Sequence, residues 1–186
     1  SCNMILENTT VSSNSAIVFG GGVFIEDDSQ VEIISCNINN NTATDSGGGI
    51  YITNTNNYNK DVSIICTQIT SNNGSGISSS NSSLVLENVA IAENTQDGLF
   101  MSGSSDIAAN NIYIVNNQIY DLSSSFSSGE GFSNSFIGTV TNSGPVPGEG
   151  DNSNDFSFSE TTENAITQAL TSCVVMGCTD VTACNY

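Results

Sequence analysis

Apolar and polar residues alternate over short runs such as Val23-Phe24-Ile25, Val31-Glu32-Ile33, Ile50-Tyr51-Ile52 and Ile112-Tyr113-Ile114. Period two over so few residues predicts half-buried strands rather than helix. The runs recur in two out-of-phase lines. One follows glycine, as Gly20-Gly21-Gly22-Val23, Gly47-Gly48-Gly49-Ile50, Gly74-Ser75-Gly76-Ile77 and Asp97-Gly98-Leu99. The other reads as strand, kink and short strand, in Val31–Ile38, Val62–Ile69, Leu84–Ile91 and Ile107–Ile114. Taking Cys2, Cys36, Cys66, Asn88 and Asn111 as equivalent kinks gives steps of 34, 30, 22 and 23 residues, the period range of a solenoid. The expectation is an all-β chain: a right-handed parallel β-helix of about five coils with an extended C-terminal tail. One inward aliphatic per strand then becomes a column, with Ile5, Val23, Ile25, Val31, Ile33, Ile50, Ile52, Ile64, Ile91, Ile112 and Ile114 as candidates.

An asparagine follows each copy, at Asn8, Asn41, Asn72, Asn94 and Asn116. Asparagine is a common turn residue, but five in phase with the apolar pattern favour a stacked ladder of side-chain amides. The first two coils are longer, and Ser12–Ala16 and Asn54–Lys60 read as loops added at corners. The repeat weakens near Asp121–Phe126, which sets a solenoid at 1–126. Residues 127–160 hold both prolines, Pro145 and Pro147, and read as a Ser/Gly/Asn-rich acidic linker. Phe132, Phe136, Phe156 and Phe158 are more apolar than a free linker needs. They are expected to lie on a surface, the chain's own solenoid or a neighbouring subunit, and mark an assembly tail. In the remaining tail, 161–186, Thr161–Leu170 carries a cap and a short apolar face, which predicts one or two helical turns.

Composition sharpens this picture. Asn, Ser and Thr make up 73 of 186 residues while only 11% are charged and Trp and His are absent, which suits strands and corners. Six cysteines, Cys2, Cys36, Cys66, Cys173, Cys178 and Cys184, point to an oxidising compartment and an extracellular or cell-surface location. Cys36 with Cys66, or Cys2 with Cys36, is a feasible bridge, and three cysteines at each end suggest a bridge from tail to solenoid. Without His and without a CxxC pair, zinc spacing is missing. Sequons at Asn8, Asn40, Asn73 and Asn81 are candidate sites for covalently attached glycans. No signal peptide or membrane-spanning run is found, and the start inside a repeat reads as a mature or partial chain.

A net charge of −18, with Lys60 the one base, argues against nucleic acid and anionic membrane as partners. Calcium is a candidate structural ion at Asp27-Asp28 and around Glu149, Asp151 and Asp155, although solvated surface charge explains both; no other cofactor is expected.

The GGGV and GGGI boxes, each with its Asn corner, resemble the right-handed parallel β-helix repeats of secreted adhesins, including chlamydial polymorphic outer-membrane proteins and pectate-lyase-like repeat regions. The resemblance covers about residues 1–126. The end, Gly177-Cys178-Thr179-Asp180-Val181-Thr182-Ala183-Cys184-Asn185-Tyr186, resembles a GCTDxxACNY segment of secreted repeat proteins of aquatic microbes. The first resemblance implies a possible polysaccharide lyase or glycosidase. A lyase needs a base beside calcium, a glycosidase two carboxylates at a set separation, and this chain offers one Lys and the adjacent pair Asp27-Asp28. The expectation is therefore no enzyme. It is an extracellular structural glycoprotein, a subunit of a head-to-tail homo-oligomeric filament or surface appendage, with the tail on a neighbouring subunit. The alternative is a monomeric fragment of an adhesin stalk whose tail folds back on itself.

Overall fold

The computed structural model describes residues 3–27, 29–55, 62–124, 127–138, 140–142, 161–171 and 173. Coil one holds β1 (Asn3–Glu7), β2 (Thr10–Ser12), β3 (Ser15–Ala16) and β4 (Val23–Glu26). Coil two holds β5 (Gln30–Ile34), β6 (Asn37–Asn39), β7 (Thr42–Ala43) and β8 (Ile50–Thr53). Coil three has β9 (Val62–Ile65), β10 (Gln68–Thr70) and β11 (Ile77–Ser80). Coil four has β12 (Ser83–Ala92) and β13 (Leu99–Ser102), and coil five has β14 (Ser105–Val115) and β15 (Leu122–Ser124). A shorter sixth coil has β16 (Ser127–Ser133), β17 (Phe136–Ile137) and β18 (Val140–Asn142). The helix α1 (Thr162–Leu170) follows.

Every strand pairing is parallel, and each strand pairs with its counterparts one coil away, which makes the chain a right-handed parallel β-solenoid. Three faces result. The first stacks β1, β5, β9, the start of β12, the start of β14 and β16. The second stacks β2, β6, β10, the ends of β12 and β14, and β17. The third stacks β4, β8, β11, β13, β15 and β18.

Inward side chains form the columns that period two predicts. Leu6, Ile33, Ile64, Leu86, Ala109 and Phe132 make one, and Val11, Ile38, Ile69, Ile91, Ile114 and Ile137 another. Ala109 is small where Phe132 above it is large, so the column stays filled. Ile5 is an exception to the expected set. Met4 and Leu6 pair with the inward Val31 and Ile33, so Ile5 points outward and is 65% exposed.

Single left-handed residues turn the chain. Asn8, Ser35, Cys66, Asn88, Asn111 and Asn134 form one corner column; Ser13, Asn40, Ser71, Glu93 and Asn116 a second; Asp27, Asn54, Asn81 and Gly103 a third. Asparagine tolerates this conformation, which explains its frequency. The columns correct the expected kink set. Ile34 pairs with Ile65, so Ser35 stands opposite Cys66, and Cys36 lies one residue later with its side chain buried.

The amide ladder also shifts. Its members are Asn14, Asn41, Asn72, Asn94 and Asn117, the residues just inside the second corner. Asn8 and Asn116 are turning residues with exposed side chains. Each ladder residue donates its backbone N–H and Nδ2 to the Oδ1 of the next coil's member, at 2.9–3.1 Å. The spare Nδ2 hydrogen reaches a carbonyl of the coil below, as from Asn72 to Ile38 at 3.1 Å. At the top Asn117 donates to Asp121 Oδ1, from the backbone at 3.0 Å and from Nδ2 at 2.8 Å.

Two boundaries differ from expectation. Ser12–Ala16 is no added loop, since it holds the end of β2, Asn14 and β3; coils one and two are instead longer by the run between ladder asparagine and glycine. Of Asn54–Lys60, residues 56–60 lie outside the described set. The solenoid also runs on past residue 126, because β16, β17 and β18 pair with coil five. Residues 127–138 and 140–142 are therefore coil, not linker; the phenylalanines at 132 and 136 supply the apolar surface that makes this possible.

Candidate functional site: the first-coil rim and the tethered tail

Coil one is the edge of every sheet, since β1, β2, β3 and β4 each have a partner on one side alone. Its core side chains are correspondingly less covered. Met4 is 38% exposed, and Leu6, Val11 and Val23 are half-buried where their coil-two counterparts are fully buried. Eight large apolar side chains among the described residues are exposed. Six belong to coil one: Met4, Ile5, Ile17, Val18, Phe19 and Phe24. Tyr51 of coil two stacks on Phe24 with centroids 5.6 Å apart and on Phe19 at 4.5 Å, so coil one begins an aromatic stack whose outer members remain open. The other two exposed residues, Ile119 and Tyr120, sit in coil five.

The tail is built differently from the expected arm. Thr161 caps α1, its Oγ1 accepting from Asn164 N at 3.3 Å, with Glu163 in the first turn. Ala165 and Ala169 are fully buried against Ala90, Ala92, Tyr113, Val115 and Phe136 on the outer side of the second face. These positions replace polar residues of the lower coils, where Asn37 and Gln68 stand in register with Ala90. Two alanines let the helix lie close to the sheet. Asn111 Nδ2 donates to Ala169 O at 3.3 Å and Asn116 Nδ2 to Thr162 Oγ1 at 3.4 Å, fixing both ends. Beyond the helix Cys173 forms a disulfide with Cys66, 107 residues away.

The expected bridge from tail to solenoid is present within the chain, and the feasible Cys36–Cys66 pair is corrected by it. Cys36 is a buried free thiol whose Sγ donates to Ile34 O at 3.2 Å. It points inward while Cys66, the corner residue, points outward, so their Cβ vectors diverge. Phe132 and Phe136 do not reach for a neighbour: Phe132 joins the core and Phe136 lies under α1. Cys2, Cys178, Cys184, Phe156 and Phe158 lie outside the described residues, as do Asp28, Glu149, Asp151 and Asp155 of the proposed calcium sites.

The sequon asparagines Asn8, Asn40, Asn73 and Asn81 are all exposed, and three of them are left-handed corner residues. Asn73 Oδ1 accepts from Thr95 Oγ1 at 2.9 Å and Asn81 Oδ1 from Ser104 N at 3.1 Å, while Asn81 Nδ2 donates to Ser80 Oγ at 3.5 Å. Burial pushes the Asp97 carboxyl above its ordinary range, opposed by the N–H of Tyr120 at 3.2 Å. The Tyr113 hydroxyl, beneath the helix, is likewise pushed up by burial. Among the described residues no three His, Cys, Asp or Glu side chains gather to hold a metal ion. No described helix is long and apolar enough to cross a membrane.

The spacing from asparagine to glycine is the signal that places the ladder. In coils three and four the ladder residue precedes its glycine by four positions, Asn72 to Gly76 and Asn94 to Gly98; in coils one and two by eight, Asn14 to Gly22 and Asn41 to Gly49. Counting from the glycines would have found Asn14. For the disulfide, the corner position of Cys66, which turns its half-buried side chain toward the tail, was not readable without the register. Comparison with known proteins returns no match: no family model, no curated protein and no solved structure matches this chain.

Proposed function

We propose that the chain is an extracellular structural glycoprotein, a subunit that stacks head to tail into a filament or surface appendage. The observation that carries this reading is the first coil: among the described residues it concentrates six of the eight exposed large apolar side chains at a rim of unpaired strand edges. Such edges recruit further strands, and a contact between unlike ends propagates instead of closing. The Cys66–Cys173 disulfide supports an oxidising location, and the four exposed sequons support glycan attachment on the corners. The described part of the tail lies on its own solenoid, against the outer side of the second face.

That same return of the tail favours one second reading, a stalk segment whose first coil abuts further coils of one long polypeptide. Sedimentation velocity over a concentration series, followed by electron microscopy, tests the proposal. Species that lengthen with concentration are expected; monomers throughout, with and without reductant, overturn it.

A further inference from the structure

The head-to-tail reading leaves open which surfaces meet, and one flank of the solenoid answers with two matched features. Between the second and third faces each coil runs from its ladder asparagine to its glycine column. These runs are residues 15–21, 42–48, 73–75, 95–97 and 118–120, the last ending at Asp121 in place of glycine. The middle three are polar, with Thr44, Asp45, Ser75, Gln96 and Asp97. Only the two end runs expose large apolar side chains. At the bottom Ile17 is 88% exposed, Val18 41% and Phe19 40%; at the top Ile119 is 54% exposed and Tyr120 39%.

Among the described residues, coil six places no counterpart of this run over it. Ile137 lies over Ile114 and Val140 over Leu122, so the chain crosses with two residues what coil five spans with 115–121. Gly138 N donates to Ile114 O at 3.0 Å, and a Cβ there would run into the Asp121 carboxylate. Gly138 therefore hugs the ladder cap, and among the described residues a notch one coil deep is left beside Ile119 and Tyr120. Coil one carries the counterpart, a run four residues longer than those of coils three to five, with Ile17 at its tip.

We propose that this loop fills the notch: Ile17, Val18 and Phe19 of one copy seat against Ile119 and Tyr120 of the copy below. With coil one lying on coil six at strand spacing, the two runs are two coil steps, about 10 Å, apart, the separation that two layers of apolar side chains fill. The surfaces are unlike, so the contact is heterologous and sets the polarity of the assembly. The side chains that meet, Ile17, Val18, Phe19, Ile119 and Tyr120, carry no charge, which matters where every copy carries a net −18.

The inference rests on the head-to-tail reading, and its test separates the two. Ile17→Asp blocks the loop and Ile119→Asp the notch; both positions are exposed, so each variant should keep the wild-type far-ultraviolet spectrum and Tm. By sedimentation velocity each alone is expected to associate about tenfold or more weakly than wild type. Mixed in equal amounts, one retains a working notch and the other a working loop, so dimers and nothing longer should form. Wild-type assembly with either variant assembling equally well overturns the junction and leaves head-to-tail stacking standing, as does a mixture that stays monomeric. A monomeric wild type overturns both, and assigns the first coil to a different occupant.

Discussion

Asn72 touches three coils at once, giving its Nδ2 to Ile38 O below and to Asn94 Oδ1 above while its own Oδ1 takes two bonds from Asn41. Truncation to alanine strands buried donors and a buried carbonyl, each costing about 1–3 kcal/mol. Asn72→Ala is therefore expected to lose about 3 kcal/mol or more in urea unfolding. The neighbouring glycine column exists because the ladder occupies its space: a Cβ on Gly76 would lie 2.7 Å from Asn94 Nδ2 and 2.8 Å from Gly98 O. Gly76→Ala should cost about 1–3 kcal/mol by overpacking, read in the same measurement. Asp97 gives a pH signature. Burial raises its folded-state value above the ordinary 3.8, so the fold favours its protonated form. The stability it contributes is full below that ordinary value and is lost as pH rises through the raised one. Asp97→Asn, which keeps an acceptor for Tyr120 N, should raise Tm at neutral pH and change little below pH 3.8; equal shifts at both would refute the assignment.

At the scale of elements, α1 is too short to persist alone. It is held by two alanines, two side-chain hydrogen bonds and the disulfide. A cross-link closing a loop of this size is worth about 4–5 kcal/mol on the chain-entropy account. Reduction, or Cys173→Ser, should lower Tm and release amide protection across 162–170 while β12 and β14 keep theirs, measured by hydrogen exchange. The strands were legible because Val, Ile and Leu alternate with polar residues, and the cap of α1 because Thr161 and Glu163 announce it. The corners were off by one for a physical reason. The left-handed residue and the ladder residue are adjacent, and asparagine suits both, as in Asn40-Asn41 and Asn116-Asn117. Coil six was hidden because it lacks the glycine box and the ladder asparagine. The tail's resting place was hidden because Ala90 and Ala92, though apolar, become a docking strip only once the register turns them outward.

For the whole molecule, each coil is covered by its neighbours, so stability varies along the axis as in other stacked repeats. Coils one and six, each paired on one side only, should exchange their amides first, and β12 and β14, paired on both sides, last; native-state hydrogen exchange checks the order, and a uniform rate along the chain would contradict it. The ladder adds a constraint on growth. Its bonds from one asparagine to the next all point one way, from Asn14 upward, and Asp121 has acceptor oxygens but no side-chain N–H. It takes the last pair of bonds and hands none on. A duplicate of the 22-residue step between Asn72 and Asn94, spliced in below Asn117, would keep every donor facing an acceptor and add one storey; the same piece above Asp121 would have nothing to hang from. The length of this column is thus written as a copy number with a terminator, and a single carboxylate is the full stop.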